Sequence, residues 1–156
     1  MATKIILLLT LFSYSFLVSQ SFMYILSLKK VQISLEAPAY LVIRKLIDSS
    51  MRSTFRYVIY GALLTNLLLV FSTINHPNSL LFSTAVIAFV ALTVDTLLTV
   101  KGSLPINDHM NTWTVDSIPA DWKPYQTKWF TIFRYRQISN IIGFLSLLIG
   151  AVFGIK

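Results

Sequence analysis

The sequence predicts an all-α integral membrane protein, a four-helix bundle with an amphipathic segment after helix 1 and a Trp-rich structured connection between helices 3 and 4. Three observations point to it. Of the 156 residues, 55% are hydrophobic and only 12% charged, with a mean hydropathy of +0.70; a soluble domain carries roughly 25% charged residues. Four separate segments approach the length of about 20 apolar residues that crosses a bilayer. The thirteen Lys and Arg residues, finally, crowd onto one side of the implied topology.

The first span is read at residues 5–28. Lys4 followed by an apolar run to Val18 has the pattern of a signal peptide. The run continues past Ser19-Gln20-Ser21 to Leu28, however, so it is expected to be retained as a membrane helix. Residues 29–54 follow, where Leu41, Val42, Leu46 and Ile47 alternate with Arg44, Lys45 and Asp48. That spacing predicts an amphipathic helix lying near the membrane surface. The second and third spans, residues 55–74 and 80–100, flank Asn75-His76-Pro77-Asn78-Ser79. Pro blocks helix continuation and Asn favours turns, so the two spans should form an antiparallel hairpin.

The connection from Lys101 to Arg136 carries Trp113, Trp122 and Trp129 among prolines, aspartates and basic residues. Indole rings favour the membrane–water interface, apolar on one side and hydrogen-bonding on the other. The connection is expected to fold back over the bundle as a cap and to become helical from about Pro124. The fourth span is read at residues 138–155, and residues 1–156 form one transmembrane domain.

Except for Lys4 and Lys156, every Lys and Arg falls in the first and third connections or, for Arg56, at the edge of the second span beside the first connection. The positive-inside rule then places both connections in the cytoplasm and both termini outside, here read as a bacterial inner membrane. The net charge of +7 reads as topology rather than as a nucleic-acid surface. The absence of cysteine excludes disulfides and thiol chemistry, and two histidines are too few for a multi-histidine metal cage. No cofactor or metal is expected.

Polar residues inside the spans mark candidate sites, because hydrocarbon penalises any polar group without a partner. Gln20, Asn66, Asp95 and Asn140 all fall in the half of the bilayer nearest the long connections. Together they can line one cavity beneath the Trp-rich cap, or each can bond between helices and hold the bundle together. Asp95 must find a cation or a proton, and Arg136, Arg134, Arg56 and Lys101 approach the same membrane face. His109, just past the third span, is either a general base or an exposed loop residue.

Leu104-Pro105-Ile106-Asn107, Trp113, Pro119-Ala120-Asp121-Trp122, Trp129 and Arg136 resemble the anthrone oxygenase-like family of small four-helix membrane proteins. The resemblance is one of motif spacing over residues 104–136 and of span layout over nearly the whole chain. It implies oxygenation of a lipophilic aromatic such as an anthrone, phenol or quinol, without metal or flavin. The family pattern also has a histidine four residues after the last Trp, where this chain has Phe133.

Two functions follow. The first is a non-catalytic subunit or accessory protein of a larger membrane complex, with other membrane subunits or a second copy as partner. The alternative is a cofactor-independent oxygenase-like enzyme. There the catalytic set would be His109, Asp95 and Arg136, with Asn107, Trp113, Trp122, Trp129, Asn66 and Gln20 around the substrate. A transporter or channel ranks last, because four spans enclose a pathway only in an oligomer.

Overall fold

A computed structural model of the chain describes residues 1–154; Ile155 and Lys156, the end of the expected fourth span, lie outside the described residues. The fold is all-α. Four rods, α1 (Ala2–Ser34), α2 (Ala37–Thr73), α3 (Leu80–Asn111) and α4 (Lys123–Phe153), are each long and apolar enough to cross a membrane. They pack in the cyclic order α1–α2–α3–α4, with α3 and α4 sharing the most extensive contact.

The rods outrun the bilayer. At 1.5 Å per residue the 37 residues of α2 extend about 55 Å, against a hydrocarbon thickness of about 30 Å. The excess lies on the side of the long connections. Outward-facing Leu8, Phe12, Phe16, Leu64, Phe71, Val90, Ile142 and Val152 clothe the spanning part in hydrocarbon. Lys29, Arg56, Lys101 and Arg134, one on each rod, form a basic collar where that coat ends.

The core has two storeys. Within the membrane, Tyr14, Leu17, Leu69, Leu92 and Leu147 pack around the alanines Ala62, Ala85 and Ala88. Above the collar, Tyr24, Tyr40, Met110, Trp113, Trp122, Trp129 and Phe133 form an aromatic cluster. The Trp-rich connection therefore builds the upper core, packed on α1, α2 and α4. Lys45 fixes it by donating to the carbonyl oxygens of Asn111 (2.9 Å) and Trp113 at the end of α3.

The hairpin between α2 and α3 forms as its residues predict. His76 N–H donates to Thr73 O, and Ser79 Oγ caps α3 by accepting from Phe82 N–H at 3.2 Å. The first connection differs from expectation. α1 continues through Lys29 and Lys30 to Ser34, and only Leu35 and Glu36 are extended before Pro38 opens α2. The amphipathic segment is present, but it runs unbroken into the second span instead of ending before it. Its polar stripe also turns inward: Arg44 and Asp48 are buried while Val42 and Leu46 are exposed. The cause is the storey above the membrane, where neighbouring rods offer these charges partners.

α1 and α3 each contain a single π turn, Tyr24–Leu28 and Thr99–Ser103. On α3 the reason is local: Pro105 has no N–H for the carbonyl of Lys101, four residues back. A π turn advances every later side chain around the helix, and such turns recur at functional sites.

Small residues let the rods close up inside the membrane. A Cβ at Gly143 on α4 would overlap the Tyr14 hydroxyl and stand 3.2 Å from the Ala91 Cβ. At Gly61 a Cβ would meet nothing within 4 Å. Gly143→Val is therefore expected to lower unfolding free energy by about 1–3 kcal/mol. Gly61→Ala should leave it unchanged or raise it by under about 1 kcal/mol. Equilibrium unfolding in mixed micelles checks both, and equal effects would contradict the packing.

Candidate functional site

Where the two storeys meet, the rods leave a cavity of about 370 Å³, a volume in the range of small-molecule sites. Gln20 and Tyr24 of α1, Arg44, Asp48 and Phe55 of α2, Thr99, Ser103 and Asn107 of α3, and Trp129 and Arg136 of α4 all face it. Both π turns lie on its wall. Its exposed lining residues, Met51, Arg52, Arg56, Tyr60 and Val100, belong to α2 and α3 alone, so the mouth opens between those rods. Tyr60 and Val100 lie on the membrane side of the collar and Arg52 beyond it.

The ceiling is a hydrogen-bonded network centred on Asp48. One carboxylate oxygen accepts from Asn107 Nδ2 at 2.6 Å. The other accepts from Asn111 Nδ2 at 2.8 Å and Arg52 Nε at 2.8 Å. Arg52 continues outward to Asp108 at 2.6 Å. Arg44, buried beside this network, donates to Asn107 Oδ1 (3.2 Å) and the Tyr24 hydroxyl (3.4 Å). Its guanidinium carbon lies 3.8 Å from the centre of the Trp129 ring, a cation–π contact that gains strength away from water. No carboxylate lies within 4.0 Å of Arg44 among the described residues.

The floor is different. Arg136 Nε meets Asp95 Oδ1 at 2.8 Å, with side-chain exposures of 8% and 0%. Arg136 also reaches Ser103 Oγ at 3.5 Å. The pair joins α3 to α4, and Arg136 shields the carboxylate from the cavity. Asp95 Oδ2 has no hydrogen-bond partner among the described residues.

The expected site residues separate into two groups. Gln20, Asn107, Trp129 and Arg136 line the cavity. Asn66 does not: with its amide turned to match its neighbours, it donates to Ala85 O (3.1 Å) and accepts from Phe89 N–H (3.2 Å), joining α2 to α3 deeper in the membrane. Asn140 is buried in α4, also off the cavity wall. The expected polar layer is thus divided, because each residue's rotation about its rod points it at a different neighbour. Trp113 and Trp122 sit in the upper aromatic cluster. His109 is exposed, stacked on Tyr125 at 4.9 Å with Trp113 edge-on at 5.5 Å, and lies off the cavity wall. Phe133 stacks on Trp129 at 4.9 Å and packs against Tyr24 at 4.4 Å.

Sequence reasoning missed Arg44, Asp48 and Tyr24. A signal was present, since Arg44 and Asp48 stand at the i,i+4 spacing that puts both on one helix face. By its residues alone that face belongs to an amphipathic helix near the membrane surface, not against the other rods. Among the described residues, the buried donors Arg44 Nε and Trp129 Nε1, both on residues that line the cavity, have no acceptor. No family model, curated protein or solved structure matches the chain.

Asp95→Leu or Arg136→Met alone is expected to cost about 3–5 kcal/mol, by leaving a buried charge uncompensated, while the double variant loses much less. Unfolding measurements on the three variants check this; strictly additive losses would mean that the two groups do not act as a pair.

Proposed function

We propose that the protein is a non-catalytic membrane subunit or accessory protein that holds a lipophilic, oxygen-bearing aromatic molecule in the cavity between its four rods. One observation carries this reading: Arg44 Nε and Trp129 Nε1, buried donors of two residues that line the cavity, lack acceptors among the described residues. A buried unpaired donor costs about 1–3 kcal/mol. A quinone or phenol oxygen would supply the acceptor, and its ring would find Trp129 and Phe55. The mouth between α2 and α3 admits such a molecule from the bilayer. A holding role rather than turnover is supported by the state of the nearby acidic groups. Asp48 already accepts three hydrogen bonds, and Asp95 is shielded behind Arg136.

A second reading, an anthrone oxygenase-like enzyme, draws support from one observation. Asn107, Trp129 and Arg136, all within the stretch that resembles that family, converge on the same wall from α3 and α4. Its test is oxygen uptake by the purified protein with 1,8-dihydroxyanthrone. Catalysed uptake that falls on changing Arg136 would favour the enzyme.

For the binding reading, equilibrium dialysis of the detergent-solubilised protein against menadione should show saturable binding of one equivalent. Trp129→Phe keeps a ring beneath Arg44 and removes the donor, so it should weaken binding by about 2- to 10-fold, the equivalent of one hydrogen bond. Non-saturable uptake, unchanged in the variant, would overturn the proposal.

The Lys and Arg bias supports a cytoplasmic location for both long connections in a bacterial inner membrane. Because the chain has no native cysteine, single cysteines report topology directly. Ser79→Cys should react with an impermeant maleimide in intact cells, and Ser117→Cys only after permeabilisation. The reverse pattern would invert the assignment.

A further inference from the structure

On the flank opposite the cavity mouth, the upper part of α1 and the start of α4 enclose a second hollow of about 470 Å³. Its floor is held by Gln126, whose Nε2 donates to the backbone oxygen of Gln32 at 3.0 Å. About three helical turns nearer the membrane, Gln137 Nε2 donates to Ser21 O at 3.0 Å, so the two rods are clamped on either side of the collar. Lys29 and Arg134 stand on opposite walls. Neither has a carboxylate within 4.0 Å or a side-chain hydrogen bond among the described residues. Hydroxyl groups of Thr127, Thr131 and Tyr135 complete the polar rim.

The level of this hollow sets what can occupy it. Lys29 stands about one helical turn beyond the exposed apolar Ile25 and Leu26. Ile138, at the lower edge, begins the exposed apolar stripe that continues through Ile142, Leu145 and Ile149. A ligand here has its head among two cations and three hydroxyl groups and its tail against hydrocarbon-facing side chains.

We infer that this hollow is a binding site for an anionic phospholipid, with the phosphodiester between Lys29 and Arg134 and an acyl chain along Ile138 and Ile142. Charge complementarity selects an anion, since a basic pocket between spans at the headgroup level attracts acidic lipids. The guanidinium and ammonium donate charge-assisted hydrogen bonds to phosphate oxygens. The lower edge selects a lipid over a free anion, because inorganic phosphate gains nothing from the apolar stripe. The site shares no lining residue with the central cavity and stands independently of what that cavity holds.

The test is native mass spectrometry of the protein released from detergent containing equal amounts of phosphatidylglycerol and phosphatidylcholine. The wild type should retain phosphatidylglycerol in preference by about tenfold or more. Lys29→Gln with Arg134→Gln should reduce that preference to near unity. Both side chains are exposed, and an unchanged melting temperature in the same preparation shows that the fold is kept. Lys4→Gln with Lys101→Gln removes the same charge elsewhere and should leave the preference intact. Preference that survives in the first double variant, or falls equally in the second, would overturn the assignment. So would displacement of the lipid by millimolar inorganic phosphate, which would reveal a simple anion site.

Discussion

The arrangement of the bundle rests on the ion pair between Asp95 and Arg136. A carboxylate with no exposure, in a rod otherwise coated by hydrocarbon, is tolerable only when a cation meets it with good geometry. That demand fixes both the rotation and the height of α4 against α3, the most closely packed rods in the molecule. With this register set, Gly143 falls against Tyr14 and Ala91, and Trp129, two helical turns above Arg136, comes beneath Arg44. The same pair forms the cavity floor and seals the acid away from its contents.

Above that floor the protein changes solvent, and the rules of burial change with it. The lower storey uses alanine, leucine and glycine, whose packing supplies cohesion where lipid removes the hydrophobic driving force between helices. The upper storey, past the basic collar, is an aromatic cluster of the kind that holds a water-facing domain together. Rods of 31 to 37 residues serve both storeys without interruption. The cavity lies at the seam, where neither kind of packing fills the space between four diverging rods.

Two departures from regular helix occur at this seam, one on α1 and one on α3. Each π turn lets a rod face lipid with one register below and face its neighbours with another above. Tyr24, inside the first, reaches the Arg44 guanidinium; Asn107, just after the second, reaches both Arg44 and Asp48. The inward polar stripe of α2 follows from the same geometry. Arg44 and Asp48 are drawn in by Tyr24, Trp129 and Asn107, and Val42 and Leu46 are left outside.

Hydropathy, turn chemistry and charge bias are local sums, and they determined what local sums can. Four spans, a tight hairpin at Asn75–Ser79, an amphipathic stretch after helix 1 and a structured Trp-rich connection were all legible in the residues. The composition of the cavity was legible only in part: Gln20, Asn107, Trp129 and Arg136 could be singled out, but Arg44 and Asp48 looked like part of an amphipathic helix at the membrane surface. The tertiary structure alone decided which polar groups meet. Asp95 and Arg136 are 41 residues apart, and Arg44 and Asn107 are 63 apart. Whether such pairs form depends on the rotation of each rod about its axis, which a single π turn alters for every residue beyond it. That is why Asn66 bonds deep between α2 and α3, His109 stands outside, and the charges of the amphipathic stretch became the ceiling of the cavity.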